Sequence, residues 1–244
     1  MLIYVYILIS VMNDFKAENI SCIDCRLKAD CFKKLTKEEL QLVNGSKVEL
    51  NFRKKEMVAK QGAFATHLMF VKMGVLKLYI EGAPGNNDLI VNIFPHGRIL
   101  GISSIFGDST FQYSISALEN STLCLIEINT IRKLMEKNSE FAVSLFRRLS
   151  MSTAHAYNQL FNLTNKQSNG RIASVLVYLA KDIYRSKKFK MSLTRKDLAE
   201  FTGMSTMNAV RVLNDQKKND LIREEDGYLE ILDFKTLEHI SKIG

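Results

Sequence analysis

The spacing of hydrophobic positions changes along the chain, and each change predicts a different kind of element. From residue 48 to residue 128, short runs rich in β-branched and aromatic residues alternate with turn residues. The clearest runs are 68–71, 75–80, 89–94 and 123–128. Many short strands at this spacing are typical of an antiparallel roll, barrel or sandwich. A helix precedes them, because Thr36 and Glu39 form a capping-box pair.

A helical pattern replaces the strand pattern from about residue 131 to residue 167, where the sequence has neither proline nor glycine. Its apolar positions recur at nearly heptad spacing. They are Phe141, Leu145, Leu149, Ala156, Leu160 and Leu163. A long helix with one apolar stripe predicts a parallel dimer. The alternative is a helix that packs against its own roll.

The pattern after Gly170 predicts a compact helical unit with a helix-turn-helix. A helical run over 171–183 leads through a polar, basic link, 185–190, to Thr194, which can cap a short helix. Gly203 ends that helix, and Ser205 can cap the next one, which runs to about residue 218. Two helices joined by a short turn that contains glycine form the outline of a helix-turn-helix.

The second of these helices separates into two faces. Ala209, Val212 and Leu213 would pack inward, while the opposite face would be exposed. An α-helix fits the major groove of DNA, where the fork of Arg211 suits the O6/N7 pair of guanine, and Met207 or Val210 could contact a thymine methyl. The predicted DNA-binding residues are Thr194, Ser205, Thr206, Met207, Asn208, Val210, Arg211, Asn214, Lys217 and Lys218.

A β-hairpin and a basic charge excess follow the same helix. Residues 221–231 place Asp226-Gly227, a strong two-residue turn, between two short strands, which predicts a wing. The formal net charge is +8, and residues 185–223 contain ten basic but only four acidic residues. Clustered basic charge is typical of phosphate binding. The alternatives are a solvated basic face and a helical cap that carries a surface hairpin.

The cysteines are the most chemically distinctive residues. Cys22, Cys25 and Cys31 lie close together in the sequence, and Cys124 lies in the strand region. Three neighbouring thiolates and a fourth ligand can hold an iron–sulfur cluster or zinc. The alternatives are a structural remnant or zinc knot with Cys124 as a buried thiol, and haem or another small molecule in the roll. The scattered histidines fit structural or solvated roles better than metal ligation.

Taken together, these parts resemble the Crp/Fnr family of bacterial transcription regulators. The resemblance rests on 70–78 and 97–101 in the roll, on 193–199 and on the turn 203–205. It implies a cyclic-nucleotide-binding-type β-roll, a homodimer, an inverted-repeat double-stranded DNA target and RNA polymerase as a partner. The oxygen-sensing branch has the same N-terminal cysteine spacing and a roll cysteine, which together bind a [4Fe-4S] cluster. That roll cysteine aligns locally nearer Ile126 than Cys124, although both positions share one face of a strand.

Departures from the family pattern change two expectations. Met207 occupies a position where the family commonly has a base-reading Glu, so the operator differs from the best-known half-site. Ile102 follows Gly101, and Tyr113-Ser114 stands where cyclic-nucleotide binders have Arg-Ser. A cyclic phosphate needs a fixed cation or several donors. We therefore expect no tight binding of a cyclic nucleotide.

The predicted architecture is α+β: an antiparallel, jelly-roll-like β-roll, a long dimerisation helix and a winged helix-turn-helix. The expected divisions are a tail (1–21), a cysteine segment with the sensor roll (22–138), the dimerisation helix (139–168) and the DNA-binding domain (169–244). The apolar start, 1–12, is too short to span a membrane, and Met12 is an alternative initiator. We expect a cytoplasmic regulator without enzymatic activity. The rival hypothesis is a signalling module that binds a protein.

Overall fold

The computed structural model describes residues 21–104, 107 and 109–244. The expectation about residues 1–12 lies outside these residues. The N-terminal half is a roll of two antiparallel sheets, with strand orders β1-β8-β3-β6 and β2-β7-β4-β5. The strands are β1 Lys47–Phe52, β2 Met57–Ala59, β3 His67–Met73, β4 Val75–Ile80, β5 Leu89–Pro95, β6 Ile99–Leu100, β7 Ser114–Ala117 and β8 Ser121–Glu127. This confirms the predicted β-roll.

Tight local geometry fixes the entry to the roll and the turn between its two sheets. Helix α1, Lys37–Gly45, begins with the predicted capping box, since Thr36 accepts from Glu39 N and Glu39 accepts from Thr36 N. Between β3 and β4, Gly74 has a φ of +92°, and a Cβ there would lie 2.2 Å from Ser121 Oγ. Only glycine fits this turn without strain.

The predicted long helix is divided in two. Helix α2 spans Ile128–Lys137 and helix α3 spans Ser139–Asn165. Asn138, between them, is in extended conformation, and its side-chain oxygen accepts from Phe141 N as the cap of α3. Asn138 therefore ends one helix and begins the next.

The predicted dimer stripe is wrong at two of its six positions. Phe141 and Leu145 are fully buried in the core of the roll, so they cannot face a partner chain. The large apolar side chains that α3 exposes lie mainly on a neighbouring face, which shares Leu160 with the predicted stripe. The dimer face, as we call it, consists of Val143, Phe146, Tyr157, Leu160 and Phe161, each more than half exposed.

The C-terminal part, called the reader domain below, comprises seven elements. They are α4 Ser168–Tyr178, β9 Lys188–Lys190, α5 Arg195–Thr202, α6 Thr206–Lys218, β10 Ile222–Glu225, β11 Tyr228–Ile231 and α7 Phe234–Ile243. A π-helical turn, Leu179–Ile183, extends α4. The helix-turn-helix (α5, α6) and the hairpin (β10, β11) are confirmed. The basic link was wrong in part, because Lys188–Lys190 forms a third strand that pairs with β11.

The reader domain shares a hydrophobic core with the outside of the roll. Val75, Tyr79, Ile90 and Ile93 of β4 and β5 join the buried residues of the helix-turn-helix in one cluster. The roll and the reader domain thus form one packed body in this conformation. Among the described residues, no helix combines the length and the apolar character needed to cross a membrane.

Candidate nucleic-acid interface and cysteine cavity

The helix-turn-helix is built from two side-chain caps and one glycine. Thr194 accepts from Asp197 N, and Asp197 accepts from Thr194 N, so α5 begins with a capping box. Gly203 ends α5 in the left-handed conformation with a φ of +61°. Ser205 Oγ then accepts from Asn208 N at 3.2 Å and caps α6. The predicted caps are confirmed, and they set the angle between the two helices.

Helix α6 buries Ala209, Val212 and Leu213 as predicted. The structure places most of the predicted DNA-binding side chains on its open side. Those exposed to solvent are Thr194, Ser205, Thr206, Met207, Arg211, Asn214 and Lys218. Those partly buried are Asn208, Val210 and Lys217. Met207 is the most exposed large apolar side chain among the described residues, at 82%.

Arg211 is held in position by a relay that the sequence reading did not identify. Its Nη2 donates to Asn208 Oδ1 at 2.9 Å, and Asn208 Nδ2 donates to Ser168 Oγ at 3.2 Å. Asp215 Oδ2 lies 4.0 Å from Arg211 Nη1. The guanidinium is thus oriented while still exposed. The spacing of three residues between Asn208 and Arg211 is the sequence signal for this contact.

Lys217, one of the predicted DNA-binding residues, forms an ion pair with the wing. Glu224 of the wing accepts from both Lys217 and Arg195, the latter at 2.6 and 2.7 Å. Burial alone would raise the pKa of Glu224, but these two cations lower it further than burial raises it. Lys217 therefore joins the recognition helix to the wing.

The outer face of the wing carries exposed basic side chains that the sequence analysis did not include among the predicted DNA-binding residues. In the register of the sheet, Arg223 and Lys188 flank Glu230, and Tyr228 lies opposite Lys190. These cations are exposed, as is Tyr228. The signal was present in the basic run 187–190, but its pairing with the hairpin depends on tertiary structure.

The cysteine cavity lies between the roll and the N-terminal segment. On the roll side, it is lined by side chains from one face of three adjacent strands: Lys47 and Glu49 of β1, Phe70 and Lys72 of β3, and Cys124 and Ile126 of β8. On the other side, it is lined by Cys22, Cys25, Lys28, Ala29, Phe32, Leu40 and Val43. Cys124 and Ile126 both line it, which confirms that the two alternative positions share a face.

Charged groups surround the thiols in this cavity. Glu49 Oε1 lies 3.1 Å from Lys47 Nζ, and Glu49 Oε2 lies 2.7 Å from Lys72 Nζ. Burial raises the pKa of Cys124 to about 12 and also raises that of Cys22. The negative charge of Glu49 acts in the same direction, and the two lysines oppose it. Both groups are therefore neutral thiols at neutral pH.

Cys31 does not share the cavity with the other three cysteines. It is fully buried, and its thiol is hydrogen-bonded by Arg148 of α3. Burial raises its pKa to about 11. Asp30 Oδ2 also lies 3.7 Å from an Arg148 nitrogen, and the rings of Phe32 and Phe141 are 5.7 Å apart. The cysteine segment is therefore packed onto the dimerisation helix at this residue.

The thiols of the cavity suit a soft metal, but in this conformation they do not lie close enough together to bind one. Three thiols line the cavity, yet among the residues that the structure describes no three Cys, His, Asp or Glu side chains lie close enough to hold a metal ion. The cavity volume is about 30 Å³, enough for about two water molecules. Binding of a cluster would require the segment around Cys31 to move.

Tyr113 and Ser114, which stand where cyclic-nucleotide binders have Arg-Ser, form hydrogen bonds with other residues of the roll. Ser114 Oγ donates to Glu81 Oε1 at 2.6 Å and accepts from Gln61 N at 2.9 Å. Tyr113 is hydrogen-bonded to Ser103 and to the backbone of Gly101, and burial raises its pKa. A carboxylate beside Ser114 repels a phosphate.

Comparison with known families gives two matches. The family model described as "Cyclic nucleotide-binding domain" matches residues 49–138, and the model described as "Crp-like helix-turn-helix domain" matches residues 170–240. The first match covers most of the roll and α2, and the second covers most of the reader domain.

Known proteins are similar over most of the chain. "Electron transport regulator A" of Shewanella oneidensis is 25% identical over 224 residues, which cover 89% of each chain. "Transcriptional activator protein anr" of Pseudomonas aeruginosa is 24% identical over 218 residues, covering 87% of this chain and 88% of the relative. The solved structure of FixK2 from Bradyrhizobium japonicum has a TM-score of 0.73 at 15% identity and covers 80% of this chain and 96% of that one. At that identity the structural similarity concerns the fold.

Proposed function

The chain belongs to the Crp/Fnr family of bacterial transcription regulators, and on that basis we propose how it reads DNA and what it senses. Membership confirms the predicted class of protein, a DNA-binding regulator and not an enzyme. We propose that α6 enters the major groove, and the observation that carries this proposal is the exposed, pre-oriented guanidinium of Arg211. An arginine held in this way loses little side-chain entropy when it binds guanine.

The proposed contact surface extends from the recognition helix to the wing. Thr206, Met207 and Asn214 flank Arg211 and would contact base edges or thymine methyls. Thr194, Ser205 and Lys218 would contact phosphates, as would the exposed cations of the wing. Asn208 positions Arg211, and Lys217 positions Glu224 of the wing. The partly buried Val210 packs beneath the base-reading face.

We propose that two copies pair in parallel through the dimer face of α3, which presents two recognition helices to an inverted repeat. Small residues lie between its apolar side chains, and their hydroxyl groups are already satisfied. Ser150 Oγ donates to Phe146 O at 3.0 Å, and Thr153 Oγ1 donates to Leu149 O at 3.1 Å. These residues can therefore be buried between two helices without leaving unpaired donors.

The proposed mode of DNA reading is tested by Arg211→Ala against a duplex that wild-type protein selects from a random-sequence library. We expect the variant to lose about 1–3 kcal/mol of binding free energy on that duplex but not on random DNA. Lys218→Ala is the matched control: it should weaken binding to both duplexes and reduce the salt dependence by about one ion. Equal losses for Arg211→Ala on both duplexes would contradict the assignment.

We further propose that the cysteines are the sensor, with Cys22, Cys25, Cys31 and Cys124 as ligands of a [4Fe-4S] cluster. Three thiols in one cavity support this proposal, as do Lys47 and Lys72, which offset the charge of thiolates. When bound, such a cluster supplies sensitivity to oxygen or nitric oxide. The name "Electron transport regulator A" of one relative favours a redox-linked signal. Zinc in the same cavity is the second candidate, favoured by the same donors.

The sensor proposal is tested by purification without oxygen, followed by an absorption spectrum and analysis of iron, sulfide and zinc. A broad band near about 400 nm that air bleaches, with stoichiometric iron and sulfide, is expected for the cluster. Cys124→Ser should remove it, whereas Ser152→Cys, an exposed addition to α3, should leave it intact. Zinc without iron would favour the second candidate, and absence of both metals would exclude the cysteine sensor.

We propose that the roll does not bind a cyclic nucleotide tightly. Ser114 is hydrogen-bonded to Glu81, and the residue directly before it is Tyr113 and not an arginine. Micromolar affinity for cyclic AMP or cyclic GMP in calorimetry would contradict this. If neither a metal nor a cyclic nucleotide binds, another small ligand of the roll would account for switching. As a family member that reads DNA, the protein is proposed to act in the bacterial cytoplasm and to meet RNA polymerase at the promoter.

A further inference from the structure

A buried polar site joins the roll to the reader domain. Lys77 projects from β4, and its Nζ lies 2.6 Å from Asp197 Oδ1 and 3.1 Å from Glu200 Oε2, both on α5. The three side chains are 16%, 11% and 1% exposed, respectively. The ring of Tyr79 lies 5.0 Å from the same ammonium group. One cation is thus enclosed by two carboxylates and an aromatic face.

The site is connected to the helix that begins the helix-turn-helix. Asp197 accepts from Lys77 with one oxygen, and its other oxygen accepts from Thr194 N at 2.8 Å and Thr194 Oγ1 at 2.6 Å. The capping box of α5 is therefore fixed directly to a strand of the roll. Glu200, one turn later on α5, holds the same ammonium. Two points of attachment along one helix restrict its rotation as well as its position.

Two further contacts complete the junction around α5. Gln159 Nε2 of the dimerisation helix donates to Phe201 O at 2.8 Å. Tyr178 OH of α4 lies 3.1 Å from both Asn92 Oδ1 and Ile93 O of β5. Helix α5 is thus held by the roll at its start and by α3 at its end. The angle between the reader domain and the dimerisation helix is set by these contacts.

We propose that Lys77 is a positioning residue that determines which spacing of DNA half-sites the dimer accepts. The inference rests on the proposed function, because it requires a dimer that reads an inverted repeat. Each base pair added between half-sites moves one of them by 3.4 Å and rotates it by about 34–36°. Two readers fixed to a rigid dimer can match one such arrangement. A reader freed from the roll can follow the displaced half-site.

Charge and burial explain why Lys77 in particular controls this rigidity. Removing the ammonium leaves Asp197 and Glu200 as two buried carboxylates without their shared cation, and buried like charges repel. The least costly relief is for α5 to move away from β4 into water. Loss of Lys77 therefore loosens the reader domain, which is then attached to the roll by apolar contacts and by the hydrogen bonds of Tyr178.

The experiment measures binding of the full-length dimer to a series of duplexes. The first duplex is the inverted repeat that wild-type protein selects from a random-sequence library, and the others lengthen or shorten its centre by one and two base pairs. We expect wild-type affinity to fall about tenfold or more per base pair. Lys77→Met should bind the selected duplex more weakly than wild type does. Its affinity should differ by less than about threefold among all duplexes of the series. Lys77→Arg should restore the wild-type profile.

The matched control is Lys196→Met. Lys196 Nζ lies 3.5 Å from Glu200 Oε1 but is 68% exposed, and among the described residues it forms no ion pair with the roll. This variant should keep the steep wild-type dependence of affinity on spacing. A Lys77→Met profile as steep as that of wild type would overturn the proposal. If Lys77→Met fails to fold, as judged by thermal unfolding, Glu200→Gln provides the same comparison. If wild-type protein selects no duplex, the proposed function itself fails, which is distinct from failure at Lys77.

Discussion

Cys124 on β8 lies directly opposite Glu49 on β1, and both side chains line the cysteine cavity. Directly opposed positions on antiparallel strands place their Cβ atoms about 4.5–5.5 Å apart. The carboxylate therefore raises the pKa of the thiol, in addition to the larger effect of burial. The cavity therefore keeps Cys22 and Cys124 protonated until a metal ion that binds thiolates displaces the protons.

The thiols should react at very different rates in metal-free protein. At pH 8, iodoacetamide should label the half-buried Cys25 well before Cys31 and Cys124, whose pKa values are about 11 and about 12. A thiol with a pKa of 11 has roughly 100-fold less thiolate than one at the usual value near 9. Mass spectrometry of tryptic peptides over time gives each rate.

Unfolding in urea is the control for the labelling experiment. All four cysteines should then react at similar rates, because burial no longer distinguishes them. Zinc added before labelling of folded protein should slow the reaction of Cys22 and Cys25. Rapid modification of Cys124 in the folded, metal-free protein would show that the cavity opens far more often than its burial implies.

Dimerisation should depend on the dimer face and not on Phe141 and Leu145, which are buried in the roll. Phe146→Glu should raise the dissociation constant of the dimer by about two orders of magnitude, since an unpaired carboxylate buried between helices costs several kcal/mol. Sedimentation velocity over a range of concentrations measures this constant.

Met151→Glu is the matched control for this prediction. Met151 is 61% exposed, as an apolar residue of the same helix, but lies away from the dimer face. The control should sediment as the wild-type dimer does. Dissociation by Met151→Glu together with a stable Phe146→Glu dimer would place the interface on another side of α3.

Stability should decline between pH 7 and pH 5 because of His155. Its ring packs at a tilt against the ring of Tyr178, with centroids 5.1 Å apart, and its Nε2 is buried without a hydrogen-bond partner among the described residues. Burial lowers its pKa, and nearby Arg98 acts in the same direction while Asp182 opposes it. The unfolded chain therefore takes up a proton near pH 6.5 that the folded chain resists, so stability is lost as the pH falls below that value.

Urea unfolding at pH 7, 6 and 5 measures this effect, with His155→Phe as the test variant. The variant should show a smaller loss of unfolding free energy than wild type across this range. His239→Phe, at an exposed position of α7, should keep the wild-type dependence. If His155→Phe and wild type lose stability in parallel, another group is responsible for the decline.

Replacement of Gly74 should destabilise the roll more than replacement of Gly62. Both have positive φ values, +92° and +82°, but a Cβ at Gly74 meets Ser121 and Asn120, whereas at Gly62 nothing lies within 4 Å. Gly62→Ala should cost about 1–2 kcal/mol of unfolding free energy from backbone strain. Gly74→Ala should cost more, and equal midpoints in thermal unfolding would contradict the predicted clash.

Local patterns in the sequence were sufficient for the elements of the fold. The capping residues Thr36, Thr194 and Ser205 lie where predicted, because a cap depends on hydrogen bonds within one turn. The turn Asp226-Gly227 joins the hairpin for the same reason. The helical pattern over 131–167 does not show the break at Asn138, although the expected dimerisation helix, 139–168, begins at the residue where α3 begins.

Tertiary packing decided the features that the sequence did not reveal. Some apolar residues of α3 pack in the core of the roll, and others form the exposed dimer face. Their spacing in the sequence does not show which of them pack against the roll. The strand Lys188–Lys190 is too short and too basic to be recognised without its partner β11. The separation of Cys31 from the other cysteines arises from its contact with Arg148, far away in the sequence.

The side chain of Asn138 makes contacts in three parts of the structure. Its oxygen caps α3 through Phe141 N, while its nitrogen donates to Lys34 O at 3.1 Å and to Glu39 Oε2 at 2.9 Å. An aspartate could supply the cap but not the amide donor, and a serine would be too short for both tasks. A single substitution there would therefore disturb the cysteine segment, the first helix and the dimerisation helix together. Position 138 should consequently be among the least mutable in a saturation screen, although it touches neither DNA nor thiol.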